Sequence, residues 1–115
     1  MKQIIFFLFI STTLTVNAQK KGAKWVSELG YDNCIELSNS DTRVVLEPNA
    51  GGRVLVYAHK NVNVLYINPQ QNGWTTATSA KPPGNHLSAS RYDIGPSKTK
   101  PNIDSFFFGK WDAKI

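Results

Sequence analysis

Between Cys34 and Asn68 the chain reads as four short apolar runs separated by turn residues, and this spacing leaves few folds open. Cys34–Ser38 alternates, with Ile35 and Leu37 on one side and Glu36 on the other, the two-residue period of a strand. Asn39, Ser40 and Asp41 follow, residues whose side chains bond their own backbone in tight turns. Thr42–Glu47 is a second strand, with Val44 and Leu46 together on one face. Pro48–Gly52 breaks the pattern, and its paired glycines are free to take positive φ or a bulge. Arg53–His59 is a third strand. Lys60–Asn61 is a two-residue hairpin connection, because Asn tolerates the left-handed conformation. Val62–Asn68 is a fourth, closed by Pro69. Short strands with regular turns predict an antiparallel meander and an all-β fold.

The third and fourth runs do not alternate cleanly. Val54, Val56 and Ala58 share one face while Leu55 and Tyr57 share the other, and Val64 and Tyr66 likewise oppose Leu65 and Ile67. A sheet with one wet face alternates apolar with polar, so both faces of this one want cover. Little follows to provide it. Residues 69–105 are rich in Gly, Pro, Ser, Thr, Asn and Lys and read as a long loop. From Gly109, Trp111, Ala113 and Ile115 alternate with Asp112 and Lys114, which predicts the start of a further strand over 109–115. The expectation is the N-terminal portion of a larger β domain, with a small complete domain as the alternative.

Residues 1–18 have the layout of a secretory signal peptide. Lys2 supplies the positive end, Ile4–Ile10 the apolar run and Val16-Asn17-Ala18 a small-residue cleavage site, so cleavage is expected between Ala18 and Gln19. The apolar run falls short of the ~20 residues of a membrane span, so no stable anchor is expected. The destination is periplasmic or extracellular. Residues 19–33 then read as a polar lead-in. The formal charge of +5 falls to +4 once Lys2 is removed. The lysines lie in loops and near the terminus with no basic stripe, so no nucleic-acid partner is expected. Cys34 is the only cysteine, which excludes an intramolecular disulfide. It reads as a small apolar residue in a strand.

The pieces CIELSN, Gly51-Gly52-Arg53 and NVLYINP, in that order, resemble the opening of the galactose-mutarotase-like (aldose-1-epimerase-like) superfamily. The likeness is closest to a poorly characterised branch of exported bacterial proteins. It runs from Cys34 to Pro69 and resumes weakly at Arg91–Pro96 and Gly109–Ile115. The resemblance implies the N-terminal part of a large antiparallel β-supersandwich and a carbohydrate ligand. In true mutarotases a Glu base and a His acid open the sugar ring. Those groups lie later in the family's chain, and no residue here matches them. The related branch tends to carry an acidic residue after Gly-Pro, where this chain has Ser97.

Arg91, Tyr92 and Asp93 are the best binding candidates. Arg91 offers a rigid fork of donors for an oxygen-rich ligand, and Tyr92 a stacking face with a polar tip. The resemblance implies that Arg91 faces the sugar; the plainer reading is an Arg91 pair with Asp93 or Asp104. Trp74, in a polar loop after Asn72-Gly73, is a candidate stacking platform, whereas Trp111 and Phe106–Phe108 read as core. His86 sits in a loop of the kind that positions functional groups, and His59 at a strand end reads as a surface residue. Neither histidine has ligand-like neighbours, so no metal and no cofactor are expected. Two functions compete: a carbohydrate-binding module without catalysis, and the N-terminal piece of an aldose epimerase or related sugar enzyme. A structural β domain is the third.

Overall fold

The computed structural model describes residues 22–90 and 103–115. Five strands form one antiparallel sheet in sequential order: β1 (Ala23–Glu28), β2 (Tyr31–Ser38), β3 (Thr42–Glu47), β4 (Arg53–His59) and β5 (Val62–Asn63). The all-β meander is as the alternation predicts, and β3 and β4 have the expected limits. The turns follow their chemistry. The Asn39 Oδ1 accepts from the Asp41 and Thr42 N–H groups at 2.9 and 2.8 Å. Lys60 and Asn61 take φ of 47° and 67°, the left-handed pair that a two-residue hairpin requires. Among the described residues, no helix is long and apolar enough to cross a membrane.

Several boundaries differ from expectation. The lead-in contains β1, which pairs along β2 from Ala23↔Leu37 to Glu28↔Tyr31, and β2 begins at Tyr31 rather than Cys34. The last strand is cut to two residues because Asn63 replaces the ladder with its side chain. Its Oδ1 accepts from the N–H groups of Tyr57 and Leu65, and its Nδ2 donates to the Leu55 carbonyl. Residues 109–115 alternate but form no strand. The Trp111 N–H bonds instead to the Pro48 carbonyl at 2.7 Å. The phenylalanines that precede them belong to a short helix, α1 (Ile103–Phe108).

Paired residues share a face. One face carries Val26, Cys34, Val45, Val56 and Ala58 together with the charged Lys24, Glu36 and Arg43; the other carries Trp25, Ile35, Leu37, Val44, Leu46 and Tyr57. The first face is covered. Cys34, Val45, Val56 and Ala58 join one core with Tyr31, Leu55, Trp74 and Leu87, closed by Phe108 of α1. Beyond this core, Arg43 bridges Glu28 at 2.6 Å and Glu36 at 2.8 Å, and Lys24 meets Glu36 at 3.0 Å. On the second face Trp25, Leu37 and Tyr57 stay exposed. Cover is present on one side and open on the other.

The Gly51-Gly52 turn is where the C-terminal segment docks. Both residues have positive φ, 78° and 57°. A Cβ on Gly51 would collide with the Phe107 carbonyl oxygen, and one on Gly52 would lie 2.5 Å from the Trp111 ring. The Gly51 N–H donates to the Gly109 carbonyl at 2.8 Å. Glycine here supplies both the conformation and the space for close approach.

Candidate functional site

A buried polar cluster fixes the loop after the sheet. Arg53, at the start of β4, is 1% exposed and Glu47, at the end of β3, is 0%. The Arg53 Nη2 donates to the Tyr31 hydroxyl at 2.6 Å and its Nη1 to the Ser88 carbonyl at 3.1 Å. Its Nε lies 3.5 Å from the Glu47 carboxylate and makes no hydrogen bond. Glu47 accepts from the Asn49 and Ala50 N–H groups, which holds the turn leading to Gly51. Burial pushes the Glu47 carboxyl above its ordinary value, against those N–H bonds and Arg53. The Tyr31 hydroxyl has one proton to give, with the Gln71 and Trp74 carbonyls at 2.7 and 2.9 Å. Burial raises its pKa as well.

Gln71 continues the cluster into the loop. A 3₁₀ turn over Pro69–Gln71, capped by the Asn68 side chain, aims Gln71 inward. Its Nε2 donates to the Pro83 and His86 carbonyls, both at 2.7 Å, and its Oε1 accepts from the Ser88 N–H at 2.8 Å. One buried amide therefore satisfies three backbone groups of residues 83–88, as a buried loop requires.

The loop held this way encloses a groove of about 440 Å³. Gln70, Asn72, Thr78 and Asn85 line it with amides and a hydroxyl, Pro82 and Pro83 with apolar surface, and Lys81 with a charge. Trp74 forms part of its wall, and its Nε1 donates to the Ser79 Oγ at 2.8 Å. Lys81 pairs with Asp104 at 2.9 Å and lies 4.9 Å over the Phe108 ring. The side chains of Gln70, Asn72, Thr78 and Asn85 make no hydrogen bond among the described residues. A smaller cavity of about 280 Å³ lies on the covered sheet face between Leu29, Val56, Ala58 and Ile67. Most of its polar rim is engaged, Arg43 with Glu28 and Asn63 with the backbone, which leaves Asn61. Of these two, the loop groove has more polar groups to offer.

The groove is open to solvent and offers hydrogen-bonding groups beside apolar surface; its lining has no carboxylate, imidazole or thiol to move a proton. Among the described residues no group of three or more His, Cys, Asp or Glu side chains could hold a metal. Trp74 departs from its expected role. It is 4% exposed and forms an edge-to-face pair with Phe108 with ring centroids 6.1 Å apart, so little of its ring is open to a ligand. His86 is exposed beside Asn85, and the loop uses its carbonyl rather than its imidazole. His59 is exposed, as its position suggests. Arg91, Tyr92 and Asp93 lie outside the described residues. Asp104, one of the partners considered for Arg91, is paired with Lys81.

Sequence reasoning missed Gln71, Asn72, Thr78 and Asn85. Their signal was a density of amides and hydroxyls over residues 70–85, on both sides of Trp74 and of the Pro82-Pro83 pair, a pattern with no fixed spacing. Comparison with protein-family models, with curated proteins and with solved structures finds no match to this chain.

Proposed function

We propose that this chain is an exported carbohydrate-binding protein of mutarotase-like fold that holds a sugar in the loop groove. The supporting observation is the set of unengaged amides and hydroxyl around an apolar wall. Sugar hydroxyls need donors and acceptors in mixed directions, which Gln70, Asn72, Thr78 and Asn85 provide. The less polar face of a pyranose needs apolar surface, which the half-buried Pro83 provides over the buried Pro82. Arg91 and Tyr92 stay binding candidates in this reading on their chemistry alone, a fork of donors and a stacking face. Export follows from the layout of residues 1–18, and the mutarotase-like assignment from the order of the CIELSN, GGR and NVLYINP pieces.

The test is calorimetric titration with galactose, glucose and a panel of soluble oligosaccharides. At least one is expected to bind, and Asn72→Ala and Asn85→Ala are each expected to weaken it by about tenfold, the loss of one net hydrogen bond. Binding that survives the double substitution would move the site elsewhere, and Arg91→Ala would then show whether Arg91 carries it. Silence across the whole panel would sink the carbohydrate reading.

A further inference from the structure

We propose that the apolar face of the sheet packs against the same face of a second copy, forming a two-fold dimer. The strand register lays this face out in rows. Ala23, Leu37, Val44 and Tyr57 line up across β1 to β4, flanked on one side by Trp25, Ile35 and Leu46 and on the other by Thr42, His59 and Val62. None of these is Lys, Arg, Asp or Glu. Lys24, Glu36 and Arg43 stand on the opposite face, tied to one another, and the exposed Asp32 lies at the margin of the rows, accepting from the Ser27 hydroxyl at 2.7 Å.

The exposed side chains are large. Trp25 is 46% exposed, Leu37 41%, Tyr57 53% and Val62 67%. Together with partly exposed Val44 and Leu46 they make an apolar patch on the order of 500 Å², at the upper end for a monomer. Two such patches reach roughly 1,000 Å², the lower bound of a specific interface. A two-fold axis pairs residue i of one copy with residue j of the other, and j with i. The apolar rows can meet in this way without burying charge, whereas burying the opposite face would desolvate the Lys24–Glu36–Arg43 network. Two sheets pack face to face about 10 Å apart with strands near −30°, the geometry that flat rows of this kind accept. This inference rests on the sheet alone and is independent of the sugar reading.

Sedimentation velocity of the full chain, from micromolar to submillimolar, tests it. The expected result is a monomer–dimer equilibrium that is insensitive to salt. Leu37→Lys and Tyr57→Lys, each burying an unpaired charge twice over, are expected to raise the dissociation constant by about 100-fold. Thr76→Lys, which adds the same charge to the exposed loop, is expected to leave it unchanged. Circular dichroism confirms that each variant keeps its sheet, and for any that does not, loss on dilution of the Trp25 emission shift, obtained by difference from Trp25→Phe, replaces it. A chain that sediments as a monomer throughout overturns the proposal. So does a dimer that persists in both lysine variants, or one that dissociates in salt.

Discussion

Arg53 and Glu47 sit together in the core, yet an ion pair there gains little over an apolar pair, because both charges give up water. What Arg53 adds is connectivity: it reaches Glu47 of β3, Tyr31 of β2 and the Ser88 carbonyl of the loop. Removing it leaves a buried carboxylate and a buried carbonyl without their partner. Arg53→Ala is expected to cost about 3–5 kcal/mol in urea unfolding, while Glu47→Gln with Arg53→Met recovers part of that loss. A cost below about 1 kcal/mol for Arg53→Ala would mean that the loop is held without it. In the sequence Arg53 was legible only as the residue after a glycine turn. A strand pattern shows which side a residue takes, and says nothing of a charge being buried there by a loop far along the chain.

Among the elements, β3, β4 and the end of β2 at Ser38 were legible because apolar alternation and turn residues agree there, whereas the start of β2 at Tyr31 was hidden in a stretch that reads as a turn. Strand β1 was not, since Lys24, Ser27 and Glu28 make AKWVSE read as polar. Its charges are used across strands, in the network that joins Lys24 to Glu36 and Glu28 to Arg43. That network gives the meander a pH dependence. Burial pushes the Glu36 carboxyl up, but hydrogen bonds from Arg43, Lys24 and Ser38 hold it below its ordinary 4.5. The stability it contributes is present in full above pH 4.5 and is lost as the pH falls through the depressed value. Glu47 runs the other way: its raised pKa makes the folded state take up a proton first, so acidification toward 4.5 from above favours folding. In urea midpoints measured against pH, Glu36→Gln is expected to lower stability at pH 7 and to flatten the decline below 4.5. Parallel curves for the variant and the parent would show that Glu36 is not the group responsible.

At the scale of the molecule, the alternation in both faces of β4 signalled a need for cover, and the cover comes from the segments whose composition argued least for it. The loop supplies Trp74 and Leu87, and α1 supplies Phe108. The groove was illegible for the same reason, since its shape depends on where Gln71 pins residues 83–88 and on what Trp74 leans against. Phe108 is the joint. It is 5% exposed, packs on Trp74, and is followed by Gly109, whose carbonyl accepts from the Gly51 N–H, and Trp111, whose N–H donates to the Pro48 carbonyl. If one core unites sheet, loop and C-terminal segment, then Phe108→Ala is expected to cost about 3–5 kcal/mol and to be felt well beyond its own helix. Amide hydrogen exchange reads this directly: protection should fall together in 71–88, 103–111 and β4, because a cooperative unit opens as a whole. Loss confined to 103–111 would mean that the segment docks as an independent flap and that the groove keeps its shape without it. Sugar titration of the same variant then separates the two cases, since a groove walled by Trp74 weakens only when Trp74 loses its support.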